Sequence, residues 1–275
     1  MAAADVRSLI AASGLPVLEA RVLLGHALRV NRAWLIAHDT DPLTEEQVSA
    51  YQQLAERRRA GEPVAYLLGE KEFMGHTFQV TPSVLIPRAD TEVLVETALA
   101  DLEGKIRPAV LDMGTGSGAI AISLALARPD ADVAATDVSA DALAVAQNNA
   151  ISLEARVRFG LGSWFDALNS ASLPPVYDVI VSNPPYISSG DAHLDQGDLR
   201  FEPRQALTDF CDGLDALRIL VAGARPYLNA GGSLWLEHGW DQAAAVRELL
   251  VAAGFQRVGS RRDLSDIERI SGGYL

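Results

Sequence analysis

From Pro108 onward, short apolar runs alternate with stretches of helical length, and this alternation restricts the possible folds more than any other feature of the chain. Strand–helix alternation with wholly apolar strands is typical of a parallel sheet whose two faces are covered by helices. The sequence therefore predicts an α/β fold for this region, with helices at 118–127 and 140–150 among others. The apolar runs lie at 109–113, 133–136, 157–159, 177–181, 233–236 and 255–258.

The N-terminal quarter has a different, helical pattern. Leu18, Val22, Leu23 and Leu28 recur at helical spacing, which predicts a helix with one apolar face. The segment Thr44–Gln47 has the form of a capping box, because the first and last side chains can each bond the other's backbone amide. A second helix is therefore predicted to start there.

Between these regions, residues 73–86 contain strand-forming side chains interrupted by Gly75 and Pro82, which predicts a β-hairpin linker. The sequence thus divides into a helical domain over residues 1–72, the linker, and an α/β domain over residues 87–275.

Composition excludes several classes of protein. Hydrophobic residues make up 49% of the chain, and no apolar run is long enough to span a membrane. The net charge of −13 argues against stable nucleic-acid binding, because contact with phosphates normally requires a basic face. The one cysteine, Cys211, excludes an internal disulfide and a cysteine-rich zinc site. The five histidines show no spacing typical of metal ligands, so no metal is expected. The single cysteine fits a reducing compartment, so a cytoplasmic location is expected.

A glycine-rich segment follows the first strand of the α/β region. Gly114, Thr115, Gly116, Ser117 and Gly118 come directly after the apolar run and open the next helix. Glycines permit a tight turn and let a ligand approach the backbone, and in open α/β sheets ligands bind at the carboxyl ends of strands. These residues are predicted to bind a cofactor.

Asp137 ends the next strand, about twenty residues after the glycines, the spacing that an acidic ribose-binding residue has in nucleotide-binding folds. Its carboxylate can accept hydrogen bonds from both hydroxyls of an adenosine ribose. A helix N-cap is the alternative role, but Ser139 is better placed for capping. Gly114, Gly116 and Ala119 also fit a relaxed dinucleotide fingerprint, so these motifs alone leave a nicotinamide-dependent oxidoreductase open.

The sequence Asn183-Pro184-Pro185-Tyr186 follows another apolar strand. Two prolines fix the backbone and remove two donors, which leaves the Asn183 side-chain oxygen and the Pro184 carbonyl as acceptors. Such a pair can receive both hydrogens of an NH₂ group, and Tyr186 can offer a flat face to a planar substrate. Catalytic roles are therefore predicted for Asn183, Pro184 and Tyr186, and substrate binding for all four residues.

Together these motifs resemble the class I S-adenosylmethionine-dependent methyltransferases, and within them the release-factor glutamine methyltransferases. The resemblance covers nearly the whole chain. Its markers are the segments 61–66, 85–92, 112–118, 163–165, 183–186, 197–203 and 236–240.

The resemblance implies a Rossmann-like, seven-stranded methyltransferase domain preceded by a small helical domain that docks the substrate. It implies transfer of a methyl group from S-adenosylmethionine, which leaves as S-adenosylhomocysteine, to the glutamine side chain in the Gly-Gly-Gln loop of peptide-chain release factors. It also implies that the 114–118 loop and Asp137 bind the cofactor, that Trp164 lies near the adenine, and that Asn183 lies between cofactor and substrate.

Other functions remain as alternatives at this point. An adenine-N6 methyltransferase on DNA or RNA could hold an exocyclic amine with the same four residues, although a flipped base and a basic channel would be needed. A protein that only binds S-adenosylmethionine or a partner would not need the 183–186 segment.

Overall fold

The computed structural model describes residues 4–169 and 173–275, and the chain divides into two compact units, Met1–Glu70 and Lys71–Leu275. The first unit is helical. Its helices are α1 (Val6–Ala12), α2 (Val17–Leu28), α3 (Arg32–Ala37), α4 (Glu45–Arg59) and α5 (Val64–Leu68).

Local capping explains where helices of this unit begin. The Thr44 hydroxyl accepts the Gln47 amide at 3.2 Å, and the Gln47 side chain accepts the Thr44 amide at 2.9 Å. The predicted capping box is therefore present and starts α4, in which Tyr51 is fully buried. The apolar face predicted for α2 is wrong in part, because Leu18 and Val22 are exposed whereas Leu23 lies in the core.

Next along the chain is a hairpin of two short strands, β1 (Glu70–Phe73) and β2 (His76–Gln79), which starts at the last residue of the first unit. The sequence predicts a hairpin over residues 73–86, but the observed hairpin starts at Glu70 and ends at Gln79, and residues 80–86 form no strand. Pro82 lacks a backbone amide, which explains why pairing does not continue through it.

A seven-stranded sheet forms the centre of the second unit, in the order β5-β4-β3-β6-β7-β9-β8. The first five strands of that order are parallel, and β9 runs antiparallel to both β7 and β8. The strands are β3 (Ala109–Met113), β4 (Asp132–Asp137), β5 (Val157–Leu161), β6 (Tyr177–Ser182), β7 (Leu228–Glu237), β8 (Gln256–Arg262) and β9 (Glu268–Tyr274). The α/β prediction is confirmed, but β9 and the first half of β7 were not predicted.

Helices cover both faces of the sheet, and this is why the central parallel strands β3, β4 and β6 are mostly buried, whereas the edge strand β5 carries the exposed Arg158. One core cluster contains side chains of α6 and α7, and the other contains side chains of α10 and α11. The helices are α6 (Glu92–Asp101), α7 (Ala119–Ala127), α8 (Ala140–Ser152), α9 (Arg204–Leu207), α10 (Asp215–Gly223) and α11 (Ala243–Ala252). In the described part of the chain, no helix combines the length and hydrophobicity needed to cross a bilayer.

Candidate active site

Three predicted motifs leave neighbouring strands at the same level of the sheet. In the register of the sheet, Met113 at the end of β3 lies between Thr136 of β4 and Ser182 of β6. The chain runs from β3 outward through β4 and β5, then returns to place β6 on the other side of β3. This is the point at which open α/β sheets bind ligands, and the segments that start at Gly114 and Asn183 both emerge there.

The glycine-rich loop is held by the sheet and open toward solvent. The amides of Gly114 and Thr115 both donate to the Thr136 carbonyl, at 2.8 and 2.9 Å. Gly116 has a φ of +56°, and a Cβ added there would meet no atom within 4 Å. Its backbone is therefore accessible to a ligand.

Gly118 is required for a different reason. It is the left-handed residue before α7, with a φ of +83°, and a Cβ there would lie 2.8 Å from Ile122 Cδ1 and 3.1 Å from Ala146 Cβ. It does not line the cleft described below, so its part in cofactor binding, which the sequence predicts, is to let the loop turn into the helix.

Both carboxylate oxygens of Asp137 accept hydrogen bonds from backbone amides beside the cleft. Oδ2 accepts the Gly116 amide and Oδ1 accepts the Ser139 amide, each at 2.9 Å. The Ser139 hydroxyl in turn accepts the Ala142 amide and caps α8, as predicted. Burial raises the pKa of Asp137, while these two amides act in the opposite direction. Each carboxylate oxygen retains a second lone pair for a ligand hydroxyl.

Asp112 lies behind the loop and is fully buried. Its Oδ2 accepts the Thr115 hydroxyl at 2.7 Å and the Ala121 amide at 3.2 Å, whereas Oδ1 has no partner. Burial raises the pKa of this carboxyl to about 7. Asp112 therefore joins the loop to the first turn of α7 at an electrostatic cost.

One cleft of about 1070 Å³, including its open mouth, brings together most of the predicted cofactor residues. Its size is adequate for a cofactor with an adenosine group. Trp164 lies against the loop, since a Cβ on Gly114 would be 3.9 Å from its Cζ3. The lining includes Gly114, Thr115, Gly116, Ser117, Asp137, Trp164, Asn183 and Pro185.

Asn183 stands where this cleft meets a second, smaller cavity of about 340 Å³. The smaller cavity is also lined by Pro184 and Tyr186, together with apolar side chains such as Leu199 and Leu207. Of the four residues of the 183–186 segment, Pro185 lines only the larger cleft, Pro184 and Tyr186 line only the smaller cavity, and Asn183 lines both.

The side-chain amide of Asn183 has a defined direction. Its Nδ2 donates to the Thr91 hydroxyl at 3.3 Å, and within the described residues Oδ1 accepts no hydrogen bond from the protein. Thr91 is buried and lines the larger cleft. The oxygen of Asn183 thus remains available as an acceptor.

The sequence did not indicate a role for Glu237, which is the last residue of β7 and fully buried. Its Oε1 accepts the Tyr186 hydroxyl at 3.2 Å, while Oε2 has no partner within hydrogen-bonding geometry. Burial raises the pKa of Glu237 to about 7, against the lowering effects of the nearby Thr91 hydroxyl and of the Arg269 charge. Burial, followed by the charge of Glu237, raises the pKa of Tyr186, so its phenol stays protonated.

An ion pair that the sequence did not indicate holds part of the cleft wall in place. Arg88 forms an ion pair with Glu202, whose side chain is fully buried and whose Oε2 accepts the Ile86 amide at 3.0 Å. Arg88 lines both cavities. The segments 85–92, 197–203 and 236–240 were visible only as family markers, and the structure gives residues in each of them a contact near the site.

Comparison with known proteins supports a methyltransferase fold for this chain. The model of the PrmC N-terminal domain matches residues 2–69, and that of the methyltransferase small domain matches residues 89–199. The solved structure of the 16S rRNA N2 G1207 methyltransferase RsmC from Thermus thermophilus, in complex with AdoMet and guanosine, has a TM-score of 0.52 at 21% identity. It covers 74% of this chain and 49% of that one, and supports the fold alone.

Curated relatives extend the match over the full length. A protein of Bordetella pertussis named release factor glutamine methyltransferase is 61% identical over 98% of this chain and 99% of its own. One of the same name from Burkholderia pseudomallei is 54% identical over 99% of this chain and 96% of its own. This chain belongs to the release factor glutamine methyltransferase family, as its sequence motifs predict.

Proposed function

We propose that this protein transfers a methyl group from S-adenosylmethionine to the side-chain nitrogen of the glutamine in the Gly-Gly-Gln motif of peptide-chain release factors. The observation that carries the proposal is the position of Asn183. Its free side-chain oxygen stands at the junction of a cofactor-sized cleft and a small cavity lined by both polar and apolar side chains, in a chain that belongs to this family.

The residues of the larger cleft fit an adenosine-containing cofactor. Gly116 leaves its backbone open, Asp137 has unused lone pairs for ribose hydroxyls, and Trp164 offers an indole ring for the adenine. When bound, the cofactor supplies an electrophilic methyl group on a sulfonium and leaves as S-adenosylhomocysteine. Within residues 4–169 and 173–275, no group of three potential metal-ligating side chains is found.

Asn183 and Pro184 provide the means to activate an amide nitrogen. Such a nitrogen is a weak nucleophile, because its lone pair is delocalised into the carbonyl. Hydrogen bonds from its two N–H groups to Asn183 Oδ1 and the Pro184 carbonyl would orient it. As positive charge develops on nitrogen, these fixed acceptors bind it more strongly, which stabilises the transition state.

No general base is needed before transfer, because the nitrogen becomes strongly acidic only after it has gained the methyl group, and its proton is then released to solvent. Tyr186 is held beside this position by its bond to Glu237, so its ring can lie against the planar amide. Its hydroxyl keeps its proton and is not proposed as a base.

The proposal also assigns a setting. The substrate is a release factor in the cytoplasm, docked in part by the helical unit, and no stable nucleic-acid binding is expected at a net charge of −13. No observation favours the alternative of an adenine-N6 methyltransferase.

The proposal is tested with labelled S-adenosylmethionine and three separate acceptors: a peptide-chain release factor, duplex DNA and single-stranded RNA. We expect label on the release factor, located by mass spectrometry at the glutamine of its Gly-Gly-Gln motif. Label on nucleic acid alone would refute the assigned substrate.

The role of Asn183 is tested by Asn183→Ala. We expect near-normal cofactor affinity but turnover lower by roughly 10²-fold, the effect of removing one charge-stabilising partner. Asn148→Ala is the matched control, because Asn148 is exposed on α8 and should behave as wild type. Unchanged turnover in Asn183→Ala would contradict the mechanism.

A further inference from the structure

Phe210 and Trp240 are large aromatic side chains that the fold leaves exposed, the first by 61% and the second by 74%. In the described part of the chain, neither ring stacks on another ring or on a cation, and the indole N–H of Trp240 has no partner. Single exposed apolar side chains are common on protein surfaces, so a role for these two depends on where they lie and how they are held.

Two backbone hydrogen bonds tie the segment of Phe210 to the chain that leaves the proposed substrate site. The Ile187 amide donates to the Leu207 carbonyl at 3.0 Å. The Ser189 amide donates to the Cys211 carbonyl, also at 3.0 Å. Ile187 and Leu207 both line the smaller cavity. Because three residues of chain span at most about 11 Å, Phe210 lies within that distance of the cavity wall.

Trp240 lies on a segment whose two ends both contact Tyr186, another residue of the smaller cavity. At one end, Glu237 Oε1 accepts the Tyr186 hydroxyl at 3.2 Å. At the other end, Gln242 Nε2 donates to the Tyr186 carbonyl at 3.0 Å. The same Nε2 donates to the Gly213 carbonyl at 3.1 Å, which joins this segment to the one that carries the first aromatic ring. Both rings therefore lie on segments that are fixed to each other and to the cavity wall.

The backbone at Phe210 has an unfavourable conformation that its neighbours enforce. Its φ is +60°, a region that a bulky side chain rarely occupies. The Asp209 carboxylate holds the turn, because Oδ1 accepts the amides of Cys211 and Gly213 at 2.8 and 3.0 Å, and Oδ2 accepts the amide of Asp215 at 2.8 Å. Enforced backbone strain is concentrated at functional sites. Strain and exposure at one aromatic residue together indicate a binding role for its ring.

We propose that Phe210 and Trp240 are aromatic anchors that bind the loop of the release factor that carries the target glutamine. The proposal rests on the function proposed above. When that glutamine enters the smaller cavity, the residues next to it remain at its mouth, and an extended chain covers about 11 Å in three or four residues. Glycines beside the glutamine leave their peptide faces open to an aromatic ring. Rigid aromatic anchors supply much of the binding energy in protein interfaces.

The proposal is tested by Phe210→Ala and Trp240→Ala. Each should raise the dissociation constant of a release factor roughly 5- to 30-fold, the effect of removing an anchor side chain. Calorimetric titration in the presence of S-adenosylhomocysteine measures this affinity without methyl transfer. Trp240→Phe keeps a ring and should retain most of the affinity. Affinity for S-adenosylmethionine should stay within about twofold of wild type, because neither side chain lines the larger cleft.

Two variants separate binding from folding. Phe210→Gly removes the ring but suits a positive φ, so its Tm should be at least that of Phe210→Ala while its affinity for the release factor falls to the same extent. Ile106→Ala is the matched control, because Ile106 is 89% exposed and precedes β3, at the edge of the sheet opposite the site. It should bind the release factor as wild type does.

The outcomes distinguish this proposal from the proposed function. If wild type neither binds nor methylates the release factor, the proposed function fails. If wild type is active and either Phe210→Ala or Trp240→Ala keeps its dissociation constant within about twofold, the pair of anchors is refuted. An equal loss of affinity in Ile106→Ala would also refute it. Bases of single-stranded RNA stack on aromatic rings as well, so a loss of RNA binding with unchanged release-factor binding would overturn the assigned partner.

Discussion

Asp137→Ala removes two functions of one carboxylate, and the structure allows them to be separated. In the folded chain without cofactor, Asp137 already accepts the amides of Gly116 and Ser139, both at 2.9 Å. The proposed ribose hydroxyls would use the remaining lone pairs. The substitution should therefore reduce both the stability of the protein and its affinity for S-adenosylmethionine.

The two losses can be estimated from the bonds involved. Two backbone hydrogen bonds, at about 0.5–1.5 kcal/mol each, give a decrease of about 1–3 kcal/mol in the free energy of unfolding. Loss of a charged acceptor for the ribose should reduce binding by about 1–3 kcal/mol as well. The dissociation constant then rises roughly 5- to 150-fold, because 1.4 kcal/mol corresponds to a factor of about ten.

Calorimetric titration gives the affinity, and urea unfolding without cofactor gives the stability. Ser139→Ala is the control, because it removes the cap of α8, a bond of 3.1 Å to the Ala142 amide, and leaves Asp137 in place. It should lose about 1 kcal/mol of stability with normal affinity. If Asp137→Ala behaves in the same way, with its affinity within about twofold of wild type, the ribose role is refuted.

Two further predictions concern the loop. Gly118→Ala should destabilise the fold by about 1–3 kcal/mol, because its Cβ would lie 2.8 Å from Ile122 Cδ1. Gly116→Ala is also strained, by its φ of +56°, but its Cβ would meet no atom within 4 Å, so it should destabilise the fold less and should lower cofactor affinity. Urea unfolding and calorimetric titration distinguish the two variants, and equal stabilities would contradict the packing argument. Burial raises the pKa of Asp112 to about 7, so its contribution to stability is full below its unfolded pKa near 4 and is lost as pH rises through 7. The free energy of unfolding should therefore decrease between pH 5 and pH 8, and the decrease should be smaller in Asp112→Asn than in wild type. Equal decreases in the two proteins would refute this account of Asp112.

The central parallel strands could be predicted because burial on both faces makes each of them largely apolar. The last strand, β9, lacks this signal, since it contains Gly272 and Gly273. A Cβ on Gly272 would lie 2.2 Å from Trp235 Cε3, so the glycine is there to accommodate a neighbouring indole. Such a requirement depends on a side chain from a distant strand and cannot be recognised in the local pattern.

Helical spacing likewise predicted α2 but not which of its side chains are buried. Leu18 is 67% exposed and Val22 39% exposed, whereas Leu24, which the periodicity did not single out, is fully buried. The spacing of apolar residues predicts a helix, but the neighbouring helices determine which of its side chains become buried. Residues with no buried partner then remain on the surface.

The candidate site shows the same division between local and distant information. The loop at 114–118, Asp137 and the 183–186 segment could be predicted, because each directly follows a strand and all parallel strands end at one edge. Thr91 and Glu237 could not, since each is unremarkable in its own segment and gains a role only where β6 and β7 lie side by side near the start of α6. The acceptors for the substrate were thus visible in the sequence, whereas the groups that orient them were not.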